Sequence, residues 1–162
     1  MSVGHSMKIT AHFTSAEMTT TSTGIANYPA DPEIWCNLTR LCCDVLEPLR
    51  GLAGPLKVNS GYRSEAVNSA VGGSSSSAHM FGRAADIVPL RDGDNALDLM
   101  LTLESSLIDF DKAILEYRGR QPWLHVQVRD ASRESRNIVL MSLEAGEFIP
   151  FDRNDPRLNE WK

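Results

Sequence analysis

No stretch of the 162-residue chain approaches the roughly 20 consecutive apolar residues that crossing a bilayer requires, so no membrane span is expected. Basic charge is also scarce. Lys and Arg number 16 against 21 Asp and Glu, giving a net charge of −5 and a pI of about 5.3. That balance argues against a nucleic-acid partner, because neutralising phosphates needs clustered Lys and Arg. It gives no reason to expect attraction to anionic envelopes either. Cysteine is limited to Cys36, Cys42 and Cys43, an odd number without spaced C-x-x-C pairs, which excludes a full disulfide framework and a zinc knuckle. These thiols read as small core residues of a helix in a reducing compartment. No repeat or linker divides the chain, so residues 7–162 are expected to form one domain, with 1–6 an N-terminal extension. MSVGHSMKIT lacks the apolar stretch of a secretory signal, and a location in the cytoplasm of the producing cell is expected.

What is present reads as a mixed α+β domain with a central antiparallel sheet and packed helices. Thr14 to Glu17 carries a capping-box pattern, and Asp31-Pro32 a helix start. From Pro32 to about Arg50 the residues Trp35, Leu38, Cys42, Val45 and Leu49 recur at helical spacing, with Pro48 placed to kink or end that helix. A strand is expected over 56–62 and a small helix over 64–71, its Glu65 and Asn68 on a solvated face. Further strands are expected over 84–88, 111–117, 123–129 and 137–143, the last three as a meander. A helix capped by Asp94 runs to about Ser106, and the tail from Phe151 reads as loop.

The stretch SSSSAHMFGRAADIV, residues 74–88, holds the first sign of chemistry. An Asp86 inside an apolar strand is costly unless a cation meets it. His79 lies seven residues upstream, across a turn that Gly82 permits. His125 occurs in WLHVQV, where alternation puts it on one face with Trp123 and Gln127. Two histidines and a carboxylate fit a three-ligand catalytic zinc site. Spacing alone favours the plainer account, a core Asp bonded to backbone and two unconnected surface histidines.

The motifs together change that balance. S-x-H-x-x-G-x-A-x-D is met by Ser77, His79, Gly82, Ala84 and Asp86, W-x-H by Trp123 and His125, and S-G-Y-R-S by residues 60–64. In this order they resemble the zinc D-Ala-D-Ala carboxypeptidase family, peptidase M15, in its phage lysin-like branch, over roughly residues 7–130. The resemblance implies the fold shared with hedgehog signalling proteins and a zinc ion held by His79, Asp86 and His125. It also implies a peptidoglycan stem peptide as substrate and a monomer acting on the cell wall after release.

Such peptidases need a general base, which many members carry in an E-x-x-H motif. Pro122 occupies that Glu position in this chain. The local alternatives are Glu116 and Asp111. Pairing Tyr117 with Leu124, Leu115 with Val126 and Ala113 with Val128 buries apolar against apolar, whereas a shift by one wastes the apolar face. That register puts Glu116 opposite His125 and makes it the expected base.

By the same resemblance Arg63 faces the site, to bind a substrate carboxylate or a developing oxyanion. Ser77 either donates to a substrate carbonyl or caps its loop. Trp123 is a cleft wall or a support for His125, and Tyr62 packs. His5 and His12 read as exposed. Two other readings are a zinc-bearing binding or virion module without turnover, and a metal-free protein that kept the fold.

Overall fold

A computed structural model describes residues 6–161. His5 and most of the expected extension lie outside the described residues. Helix α1 (Ser15–Met18) starts from the full capping box of Thr14 and Glu17. Helix α2 (Pro32–Leu41) starts from Asp31, whose side chain accepts from the Glu33 N–H. A π-helical turn, Cys42–Leu46, joins it to α3 (Glu47–Ala53), so Pro48 does not end the helix. A proline lacks an N–H and crowds the carbonyl one turn back, and the wider π turn before it gives room. Leu38, Cys42, Val45 and Leu49 are fully buried along this rod, whereas Cys36 and Cys43 are exposed. Two of the three thiols are therefore surface groups rather than core.

Strand β1 (Leu56–Ser60) leads to α4 (Glu65–Ala70), a 3-10 turn (Ala78–Phe81) and β2 (Ala84–Pro89). Helix α5 (Ala96–Glu104), β3 (Lys112–Glu116), β4 (Trp123–Gln127), β5 (Ile138–Ser142) and β6 (Ile149–Pro150) follow. The cap of α5 is Asn95, not Asp94, because Asn95 forms a capping box with Asp98. On α4, Asn68 is buried rather than solvated, and its side-chain amide donates to the Ser74 carbonyl, tying down the serine loop. The tail is not plain loop. It forms a 3-10 turn (Pro156–Trp161), which buries Leu158 and sets Trp161 edge-on to Tyr117.

The six strands form one sheet in the order β1-β2-β4-β3-β5-β6, all antiparallel except β3 with β5. The expected meander therefore fails at its third strand. The β4 edge that β5 would need is already paired with β2, and β5 takes the free edge of β3 instead. Side-chain alternation divides the sheet into two faces. Ala85, Ile87, Ala113, Leu115, Leu124 and Val126 join the core with the residues of α2, α3 and α5. The opposite face carries Asp86, Ile114, Glu116, Trp123, His125 and Gln127 beneath the 71–81 segment.

Candidate metal centre

Asp86 and His125 are directly paired across β2 and β4, so the ladder itself brings carboxylate and imidazole together. His125 Nδ1 lies 2.9 Å from Asp86 Oδ1. His79 arrives from above the sheet on the 3-10 turn, its Nε2 3.2 Å from Asp86 Oδ1 and 3.3 Å from His125 Nδ1. Four-coordinate zinc with bonds of about 2.0–2.1 Å would hold its donors about 3.3 Å apart. The three atoms fit that spacing, and all donor atoms of the trio lie within 4.8 Å of one another. His79, Asp86 and His125 thus form a group that could hold a metal ion.

Two backbone features put His79 there. Gly82 ends the 3-10 turn at φ +67°, and a Cβ on it would stand 2.7 Å from the Ile34 carbonyl oxygen. Only glycine fits that left-handed, crowded corner. Gly61 abuts Met18, whose carbonyl oxygen would lie 2.4 Å from an added Cβ. The Gly61 carbonyl accepts from His79 Nδ1 at 2.7 Å. A carbonyl can only accept, so Nδ1 carries the proton and Nε2 offers its lone pair to the cluster.

The second histidine is oriented by side chains instead. His125 Nε2 donates to Gln127 Oε1 at 3.3 Å, and Gln127 Nε2 donates to Asp111 Oδ2 at 2.7 Å. Asp111 is 1% exposed and also receives two bonds from Arg136 and an ion pair from Arg129. It therefore anchors Gln127 and is removed from consideration as the base. Burial works against its charge, but Arg136 and Gln127 hold its carboxyl below the usual range.

Electrostatics in the trio follow from burial and contact. Desolvation opposes the Asp86 charge, yet the two imidazoles hold that carboxyl well below its ordinary value. Burial pushes the His79 imidazole below its usual pKa. For His125 burial acts the same way, but the hydrogen bond to Asp86 outweighs it and the net direction is upward.

Glu116 is not opposite His125. The observed register pairs Glu116 with Trp123 and Ile114 with His125, a slip of two residues from the expected one. Leu115 now meets Leu124 and Ala113 meets Val126, so the observed register also sets apolar residues opposite apolar ones. A slip of two keeps every side chain on its face. Glu116 remains on the same face as His125, one diagonal step away, about 7–8 Å between backbones. Burial raises its pKa above the ordinary carboxylate value.

Arg63, Ser77 and Trp123 line the same cleft as Glu116 and the trio, a cavity of about 560 Å³. Arg63 donates from Nε to Ser60 Oγ at 2.8 Å and from Nη2 to Asp86 Oδ2, leaving Asp86 Oδ1 to the histidines. Ser77 makes no capping bond with its hydroxyl, so the loop-cap alternative fails. The Trp123 indole N–H is buried without a partner among the described residues. His12 is exposed, as expected, and pairs with Glu47 far from the cleft.

Sequence reasoning missed Gln127, Asn27 and Phe148. Asn27 donates to the Tyr62 carbonyl and accepts from the Ser64 N–H, which fixes the backbone on both sides of Arg63. Phe148 is an exposed aromatic on the cleft rim. For Gln127 a signal existed, its place two residues after His125 on the same strand face. For Asn27 and Phe148, in irregular segments, none did.

A family model described as Peptidase M15 matches residues 11–127, well over half of the chain. The comparison with curated proteins gives no match.

Proposed function

The chain belongs to the peptidase M15 family, and on that premise we propose that it is a zinc metallopeptidase hydrolysing a peptide bond of peptidoglycan stem peptides, in a phage-type lysin role. The observation that carries this reading is the donor triangle of His79 Nε2, Asp86 Oδ1 and His125 Nδ1 in a cleft shared with Glu116. In this reading those three side chains hold the zinc. Bound there, the metal supplies the Lewis acidity that makes water a nucleophile near neutral pH and polarises a carbonyl.

The chain's own groups do the rest. The Glu116 carboxylate takes a proton from the attacking water and returns it to the leaving amine. Arg63 keeps Asp86 aligned through Oδ2 and places positive charge beside the developing oxyanion. Gly61 and Gln127 hold the two imidazoles in the tautomers that present a lone pair. Ser77 is a donor for the substrate backbone, and Trp123 forms a wall of the cleft.

Mass spectrometry of purified peptidoglycan after digestion tests the reading and identifies the bond. New peptide fragments are expected, absent with a zinc chelator and restored by zinc. If no fragment changes, the peptidase assignment fails. If zinc binds in the ligand-dependent way but no bond is cut, the binding-module alternative takes its place.

A further inference from the structure

Beside the metal cleft lies a second cavity of about 450 Å³, which shares Ser76, Ala78 and Gln127 with it. Arg83, Arg129, Arg133 and Arg136 line it against only Asp111 and Asp130, a local excess of positive charge in a chain of net charge −5. Such a concentration within an acidic protein focuses attraction on one place. Three of the four guanidinium groups are held by neighbours. Asp111 grips Arg136 and Arg129. Arg83 stacks at 4.9 Å on the exposed ring of Phe81, and its ion pair with Asp130 is long, at 3.6 Å. Arg83 Nε is buried and has no hydrogen-bond partner among the described residues. The Arg83 guanidinium thus lines the cavity with its acceptors incomplete, an arrangement that favours an anion there.

We propose that this cavity is an anion subsite that binds a carboxylate side chain of the peptide substrate, an inference that rests on the peptidase reading. Gln127 forms the wall between the two cavities, touching His125 on one side and Asp111 on the other. Along β4 and its continuation, Gln127 and Arg129 lie two and four residues beyond His125, about 7–13 Å at strand rise. An extended substrate covers the same span with two to four residues. The subsite therefore selects peptides with an acidic residue two to four positions from the scissile bond.

The test uses nested synthetic peptides that differ only in carrying glutamate or glutamine at successive positions. Binding is measured by fluorescence anisotropy on the zinc-loaded Glu116→Gln protein, and hydrolysis on the wild type. The glutamate peptide with correct spacing is expected to bind about tenfold tighter than its glutamine partner. That ratio falls towards one in added Arg83→Gln or Arg133→Gln and is kept in the remote Arg153→Gln. A ratio of one in the parent protein, or its survival in both pocket variants, overturns the subsite. If the preference is found but the wild type releases no fragment, the subsite stands and the peptidase reading falls. If fragments appear without preference, the reverse holds.

Discussion

Glu116 stands opposite Trp123 across β3 and β4, one diagonal step from His125 on the cleft face of the sheet. It is a carboxylate on the sheet face and in the cleft of the donor trio, the place that the peptidase reading gives to a base acting through water. In Glu116→Gln, kcat is expected to fall by about 10²–10⁴-fold, while zinc content stays near one per chain. Steady-state kinetics with metal analysis of the same sample checks this. Unchanged kcat would remove Glu116 from the mechanism.

Zinc should stabilise the folded chain, because the trio is assembled only by folding. Residues 79, 86 and 125 come from a turn and two strands. At free zinc about 100 times Kd the gain is about 2.7 kcal/mol, on the order of 5–10 °C in Tm for a chain of this size. In Asp86→Ala and His79→Ala the zinc-dependent shift should vanish in calorimetry. A shift retained by both variants would place the metal elsewhere.

Gln127 tests the orientation of His125. Gln127→Ala removes the acceptor for the Nε2 proton, and zinc affinity is expected to drop about 10–100-fold, as for other partners of ligating histidines. Gln127→Glu keeps an acceptor for the ring but sets a second carboxylate against Asp111 in place of an amide donor, so only part of the affinity should return, read by competition with a chromophoric chelator. Equal affinity in all three proteins would show that the contact does not orient the ring.

Asp111 gives the fold an acid-sensitive element. Its folded pKa lies below the unfolded value of about 3.9, so its stabilisation is complete above that pH. It is lost as the pH falls through the folded value. Asp111→Asn should cost about 2–3 kcal/mol at pH 7 through the weakened bonds to Arg136 and Arg129. The gap to wild type should shrink as the pH drops below about 4, measured by urea unfolding. A pH-independent gap would mean that packing, not charge, explains the loss.

The helix starts at Thr14 and Asp31, the buried stripe from Leu38 to Leu49 and the cleft-facing side of β4 were legible in the chain, because capping and side-chain periodicity are local properties. So were the three motif segments, two of which carry the residues that could hold a metal ion. The alternation of β3 and β4 even assigned Glu116 to the correct face. It could not give the register, since sliding by two still sets apolar residues opposite apolar ones on the buried face. Only the pairing of β2 with β4, which joins residues far apart in the chain, brought Asp86 opposite His125. The same pairing occupied the β4 edge and sent β5 to β3.

The sequence by itself determined which residues can bind a metal and which strand face His125 and Glu116 occupy, because residue chemistry and strand periodicity are written residue by residue. Tertiary structure alone decided that Asp86, His79 and His125 bring three donor atoms to one point, and that Gln127 and Asp111 hold one of them in place. Those are distances between separated segments, and they exist only once burial of the opposite, apolar face has closed the sheet.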